Sequence, residues 1–524
     1  MTDIPGERET LSLNYRITIP SVAILVALCI PLVIWQEEST ETLNAIFAVI
    51  VNNIGSLYIW YSILMVAASL FFICTRYGSV VMGDPGRKPR FSWFEYLSII
   101  VAMGIGSTIM RTGTVMWAPI AAAPPFGLEP QSLAAMATGN GYAMYLWSFQ
   151  TFAIFSVGAP AVGYLLYVRK VKILRMSEVY RPLLGDRFTD GTGGIVIDIL
   201  FMVAIIAGAA TFLGLGTPIV TAIVSHITGW EATFGLTFVV TLVWIALFTA
   251  SVLLGLEKGI KNLSTLNMYL AALLGVFILV AGPSGFILSF FAESLGSLFR
   301  DLPNYVLNTG TWPEEGSGSY DIARYTIFWW AYGATWSLLH SIFAAKISEG
   351  RTIRELLLAY LLAPLVLAWV ATGILGGLGA GLQADGSLDV FGIVAESGQM
   401  AAIAEIVASV PFGLIAALVF TMLTMTFFAT TLDSTTFTVS AYTDDNDMHK
   451  YDPAAKIRLF WSVVISVFAL VLMKVGGLVP LEVTSGLLGL PIIFIQLGSV
   501  WAAKKMIDQD RAWETHTRKA AARI

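Results

Sequence analysis

The chain reads as an all-α integral membrane protein with twelve transmembrane helices, on three observations. It is 56% hydrophobic and 12% charged, with a mean hydropathy of +0.76, whereas a soluble domain carries roughly 25% charged residues. Uncharged runs recur along the whole length, each near the ~20 residues that cross a bilayer. The runs are continuously apolar, where barrel strands would alternate, so helices must satisfy the backbone in lipid.

The acidic stretch Met1–Thr10 lacks an apolar core ahead of a small-residue cleavage site, so the first span, 17–35, is retained. Span 2 covers 52–74. Span 3, 93–120, is interrupted by Met103-Gly104-Ile105-Gly106-Ser107-Thr108 and carries Arg111 in its interior, its other charge, Glu95, standing at its start. An intramembrane charge costs at least ~2.5–3.5 kcal/mol, so it faces a cavity or a partner. Span 4, 141–168, holds Trp147, Phe152 and Phe155. Spans 5, 6 and 7 cover 192–216, 234–255 and 267–290. Segment 291–323 is amphipathic, too short and polar to span, and suited to the outer membrane surface. Span 8, 325–346, crowds Trp329, Trp330, Tyr332 and Trp336 together, with Gly333 among them. Rings at that density form a cage for a cation, each face contributing about 0.5–2 kcal/mol. Spans 9 to 12 cover 356–380, 410–432, 458–474 and 482–502. Asp508–Ile524 reads as a solvated charged end or a short amphipathic helix.

Charge orients the bundle. Roughly 26 of the 30 Lys and Arg fall in one set of loops, which the positive-inside rule makes cytoplasmic. Arg76, Arg87, Arg169, Arg175, Lys258, Lys261, Arg351, Arg354 and Lys450 belong to it; Glu129, Glu293, Glu314, Glu315, Asp389 and Glu396 belong to the opposite set. Both termini are therefore expected in the cytoplasm, with the chain in the cell inner membrane. Cys29 and Cys74 both lie in spans and give neither a disulfide framework nor a metal spacing. No phosphate loop, nucleophile elbow or zinc motif is present, which argues against an ATP-driven pump and an enzyme. No cofactor and no nucleic-acid partner is expected.

Segment 291–323 separates spans 3–7 from spans 8–12, five and five. Gly-interrupted helices at corresponding positions are the pattern of inverted-repeat transporters. Here spans 3 and 8 each carry such an interruption. The expected divisions are a tail 1–15, two peripheral helices 16–90, a first repeat 91–290, the connector 291–323, a second repeat 324–503 and a tail 504–524.

Specific motifs add a family resemblance. Ser348-Glu349-Gly350-Arg351-Thr352-Ile353-Arg354-Glu355 follows the aromatic run of span 8. Met103-Gly104-Ile105-Gly106, Pro124-Pro125-Phe126-Gly127, Leu174-Arg175-Met176-Ser177, Ala210-Thr211-Phe212-Leu213-Gly214-Leu215-Gly216, Lys258-Gly259-Ile260-Lys261 and Thr430-Thr431-Leu432-Asp433-Ser434 stand in matching order. Over roughly residues 20–500 the chain resembles the betaine/choline/carnitine transporter (BCCT) family. The resemblance implies a LeuT-type five-plus-five inverted repeat with two additional N-terminal helices. It also implies a small-molecule substrate and, among its members, homotrimers.

On that resemblance, Trp147, Phe152, Phe155, Trp330, Tyr332 and Trp336 form the substrate box. Ordinary helix packing is the alternative for Phe152, Phe155 and Trp329. Sodium is the expected coupling ion, held by Thr430, Thr431 and the carbonyls near Met103, with Thr211 as a second-site ligand. Back-bonding of the hydroxyls to the preceding turn is the alternative. Asn267 stands where sodium-independent exchangers of the family carry an Arg, and Met116 about where many members carry a Glu. Arg111 is expected to face the cavity and take the acidic end of a zwitterion; a structural Arg is the other reading. The implied function is import of a quaternary ammonium or related zwitterion. The alternatives are transport of an amino sulfonate or other anion, and sodium-independent exchange.

Overall fold

A computed structural model of the chain describes residues 12–84, 86–106, 108–173, 175–254, 256–309, 320–446, 453–476 and 478–521. Met1–Thr10, Ser107, Leu174, Glu314, Glu315, Lys450 and Arg523 lie outside these residues, as do the side chains of Lys258 and Lys261.

Helices α1 (Tyr15–Ile34) and α2 (Gln36–Cys74) lead the chain. Asn14 caps α1, its side-chain oxygen accepting from the Ile17 N–H. The third span is broken into α3 (Trp93–Ile105), α4 (Thr108–Val115) and α5 (Trp117–Ala122), with a 71° bend between α3 and the α4–α5 stretch. A Ser92/Glu95 capping box starts α3. The fourth span is also segmented, as α6 (Leu133–Leu146), α7 (Phe149–Ser156) and α8 (Ala159–Gly163), ending in a π-helical turn over Tyr164–Val168. Short helices α9 (Met176–Leu184) and α10 (Asp186–Thr189) precede the long α11 (Thr192–Thr228), α12 (Phe234–Leu254) and α13 (Leu256–Ala281). Then come α14 (Ser284–Leu307), α15 (Ile322–Ile347), α16 (Ile353–Ala384), α17 (Val390–Ala408), α18 (Gly413–Thr443), α19 (Ala455–Gly476) and α20 (Leu478–Ala521).

Ten described helices are long and apolar enough to cross a membrane, eleven when the bent third span counts as one. That set includes α17 and omits both α15 and α12. Yet α17 is two short helices merged across Gly398, whose φ is 84°; at ~1.5 Å per residue neither half crosses a ~30 Å core. Helix α15 has 26 residues, about 39 Å. Its hydropathy is low because Trp, Tyr, His, Ser and Thr face protein instead of lipid; nearly all of it is buried. Helix α12 runs for 21 residues. Exchanging α17 for α15 and adding α12 gives twelve spans.

Two expectations need correction. Span 8 is not interrupted: α15 runs unbroken through Gly333. Glycine inside a helix costs only about 1 kcal/mol relative to Ala, and packing on α7, α8, α11 and α20 holds this helix along its length. Second, span 7 ends at Ala281, short of 290, and α14 has already begun at Ser284. Gly282-Pro283 stops the helix, since Pro lacks the N–H that would continue it. Helix α14 buries one face, including Ile287, Phe290, Ser294 and Leu298, and packs on α6.

The loop between α15 and α16 is a staple. The Arg351 guanidinium lies 4.0 Å from the Trp93 ring centroid and 4.1 Å from that of Tyr96. It also donates to the Phe91 carbonyl at 2.8 Å. Gly350 is left-handed (φ 81°), and a Cβ there would meet the Lys88 carbonyl at 2.8 Å. The motif thus fixes the start of α3 against the end of α15.

Candidate functional site

The break in span 3 sets the site. Gly106 adopts φ 57°, ψ −160°, a conformation that L side chains avoid. Helix α3 therefore ends at the break, where the helical ladder does not continue through Gly106. A Cβ on Gly106 would approach the Phe212 ring to 3.0 Å and the Thr431 hydroxyl to 3.5 Å. The bare backbone lets α11 and α18 close in on the break.

Span 4 breaks at Trp147, whose backbone is non-helical (φ −103°, ψ 43°). The carbonyls this frees are answered by side chains and the next turn. Trp369 Nε1 donates to the Met144 carbonyl at 3.0 Å. Trp329 Nε1 donates to that of Leu146 at 2.8 Å, and Ser148 N to that of Tyr145 at 3.0 Å. The Trp147 indole N–H donates to Thr112 Oγ1 at 2.8 Å, which ties this break to α4. Two irregular segments thus face each other with α15 between them.

Together they line a narrow cavity with about 30 Å³ of free space. Its wall includes Trp147, Phe155, Trp330, Tyr332 and Trp336, all expected from the sequence, together with Met103 and Thr431. Trp329 also lines it, perpendicular to Trp147 at 5.2 Å between centroids. Thr108, Thr151, Phe212 and His340 complete the chemistry of the wall. No Asp, Glu, Lys or Arg is among the lining residues. The indole N–H groups of Trp330 and Trp336 meet no acceptor among the described residues. Phe155 stacks on His340 at 4.0 Å, and His340 Nδ1 pairs with the Tyr360 hydroxyl at 2.9 Å.

Four expected residues stand outside that wall. Phe152 lies behind it, stacked on Trp147 at 6.2 Å and edge-on to Phe155; helix packing describes it. Thr211 and Thr430 return their hydroxyl protons to the Ala207 and Thr426 carbonyls at 3.0 and 2.8 Å. Thr431 does the same to Phe427 at 3.0 Å while still lining the cavity. Such back-bonding uses the hydroxyl proton and leaves oxygen lone pairs outward. Arg111 is buried, but its guanidinium donates to the Tyr325 hydroxyl at 2.9 Å and to Gln399 Oε1 at 3.4 Å. It links α4, α15 and α17 beside the Gly398 kink, one helical turn beyond Thr108.

Sequence reasoning missed Thr108, Thr151 and Phe212 as wall residues. Phe212 had a signal in the Ala210–Gly216 motif and Thr108 in the span 3 interruption; Thr151 had none, because its role arises from the break at Trp147. Among the described residues, no group of three or more His, Cys, Asp or Glu gathers as a metal site.

A family match makes the chain a multi-pass secondary transporter and not an enzyme. The chain is a member of the BCCT family: the model of the betaine/carnitine/choline family transporters matches residues 16–512. Among solved structures it is similar to a substrate-bound, outward-open Na⁺-coupled sialic acid symporter, at 14% identity over 84% of this chain and 85% of that one, with a TM-score of 0.46. It is also similar to MhsT in complex with L-phenylalanine, at 15% identity over 78% and 89%, with a TM-score of 0.46.

Proposed function

We propose that the protein imports a small quaternary ammonium or related zwitterion, of the betaine, carnitine or choline type, in symport with sodium. The observation that carries this reading is a wall with Trp147, Trp329, Trp330, Tyr332 and Trp336 around one cavity and no carboxylate in it. Such a wall binds a cation that carries no N–H donors, through ring faces alone. The opposite end of a zwitterion meets the first turn of α4 at Thr108, where helix N–H groups point at an anion.

The sodium half of the proposal rests on hard oxygen donors. The end of α3 at Met103 and the Thr431 hydroxyl line the same cavity, with Thr431 Oγ1 3.5 Å from where a Gly106 Cβ would stand. Asn267 Nδ2 lies 3.5 Å from Thr430 Oγ1, and the Asn267 amide oxygen has no donor partner among the described residues. A neutral Asn there leaves no fixed cation to replace sodium. Thr211 sits deeper in α11 and is the weaker ligand.

Arg111 favours a second reading, an amino sulfonate or other anionic substrate. Its guanidinium is buried within one turn of Thr108, and its planar fork suits carboxylate or sulfonate. The experiment is a binding panel of betaine, carnitine, choline and taurine on purified protein, followed by uptake into proteoliposomes with and without a sodium gradient. Betaine or carnitine binding and sodium-dependent uptake are expected, with Thr430→Ala/Thr431→Ala raising the sodium concentration required. Taurine binding without betaine binding would select the anionic reading, and sodium-indifferent uptake in the parent protein would select exchange.

A further inference from the structure

A second cavity, unrelated to substrate chemistry, opens on the outside of the same break. It has an empty volume of about 1070 Å³, mouth included, and lies between α3, α4, α13, α16 and α18. On α13 its wall follows one helical face: Met268, Ala271, Gly275 and Leu279. Those positions repeat every three or four residues, so the slot runs along the helix for about 16 Å. Leu367, Ala371 and Ile374 on α16 repeat the same way and form the facing wall. The floor is Ile105, Ile109 and Met110, on either side of Gly106, and Phe427 of α18 closes the back. Every lining residue is apolar. Small side chains at Ala271 and Gly275 make the groove; a Cβ on Gly275 would find Ile374 Cδ1 at 3.6 Å, an ordinary contact.

The mouth faces the bilayer. Val276, in the wall, is 60% exposed, and its neighbours Leu273 and Val366 are 59% and 56% exposed. All belong to membrane-spanning helices, so hydrocarbon is the medium at this opening. A slot whose surface is almost wholly apolar offers little to water or to a headgroup. A long straight groove parallel to the spans matches an extended chain, and an unfilled one would forfeit dispersion contacts along its lining.

We propose that this slot is a binding site for one phospholipid acyl chain, which braces the α3–α4 break from behind. Ile105 lines both this slot and the substrate cavity. Phe427, in the slot, accepts through its carbonyl the hydroxyl proton of Thr431, in the cavity. The wall between lipid and substrate is therefore one residue thick. The site does not depend on which substrate the cavity takes.

The test uses the full-length protein in proteoliposomes containing a phosphatidylglycerol with a photoactivatable diazirine on its acyl chain. Cross-linked peptides are mapped by mass spectrometry. Cross-links should concentrate on Ala271–Leu279 and Leu367–Ile374, several-fold above the plain lipid-facing surface of α12 at Val239–Val243. Filling the slot with Gly275→Leu, or separately with Ala271→Leu, should remove the excess there and leave the α12 signal intact. Hydrogen exchange of delipidated protein reports the bracing. Adding phosphatidylglycerol should slow the amides of Ile105–Met110 in the parent and not in a filled variant. Cross-linking in the parent no greater than on α12 would overturn the site, whether or not the variants fold. Exchange indifferent to added lipid in the parent would overturn the bracing.

Discussion

Indole faces and one buried guanidinium divide the recognition problem at the scale of single residues. Trp330 and Trp336 are buried and line the cavity, so their truncation removes ring faces rather than surface decoration. Trp330→Ala and Trp336→Ala should each weaken binding of a trimethylammonium ligand by about 0.5–2 kcal/mol, read by calorimetry on purified protein. Trp336→Phe keeps a ring and should cost less; unchanged affinity in both alanine variants would make these rings packing residues. Arg111 is expected to act at a distance, from its bonds to Tyr325 and Gln399. Arg111→Gln should weaken betaine more than choline, because only betaine has an anionic end. Arg111→Lys keeps the charge without the fork that reaches two partners and should fall between parent and Gln. Equal losses for both ligands would assign Arg111 to the α4–α15–α17 contact alone.

Among the elements, the broken helices matter most. Gly106 lies in a backbone region costing other residues roughly 1–3 kcal/mol, and the Phe212 ring sits where a Cβ would go. Gly106→Ala should therefore lower both thermal stability in detergent and substrate affinity. Gly333→Ala, in an unbroken helix with its nearest neighbours at 3.7 and 3.9 Å, should leave stability unchanged or raise it slightly. Comparing the two melting temperatures checks the contrast; equal destabilisation would mean that α15 also needs a flexible residue. The staple at Arg351 has a different task. Placed over Trp93 and Tyr96, it anchors the start of α3 and leaves the Gly106 end as the hinge. The Ser348–Glu355 motif that pointed to the family is thus a structural clasp, while the rings before it make the site.

For the whole molecule, the loop-charge asymmetry leads us to propose that both termini lie in the cytoplasm of the cell and that the chain sits in its inner membrane. Reporter fusions at the two ends should both give the cytoplasmic signal; a split result would require an odd number of spans and would remove α12 or α15 from the count. Homotrimer formation, a habit of the family, is a further proposal, read by native mass spectrometry in a mild detergent. The five-plus-five division has an asymmetry that spacing did not foresee. The first helix of the first five is broken at Gly106 and that of the second is continuous. The partner break instead falls in span 4 at Trp147, where Trp329 and Trp369 answer the freed carbonyls.

Sequence alone determined what depends on composition and local pattern. Long uncharged runs require membrane helices whatever their arrangement, and the aromatic run of span 8 held four of the cavity's rings. The aromatic run also placed span 8 at 325–346, where α15 lies, and 390–408 was rightly left uncounted. The change of direction at Gly398 that halves α17 was not legible in composition. Whether a glycine breaks a helix was decided by tertiary structure: Gly106 and Gly333 look alike in sequence, but Phe212 and Thr431 press on one and helical neighbours enclose the other. The direction of Arg111 was decided there too. A guanidinium goes where acceptors are, and Tyr325 and Gln399, 214 and 288 residues away in the chain, become its acceptors only once the bundle has closed.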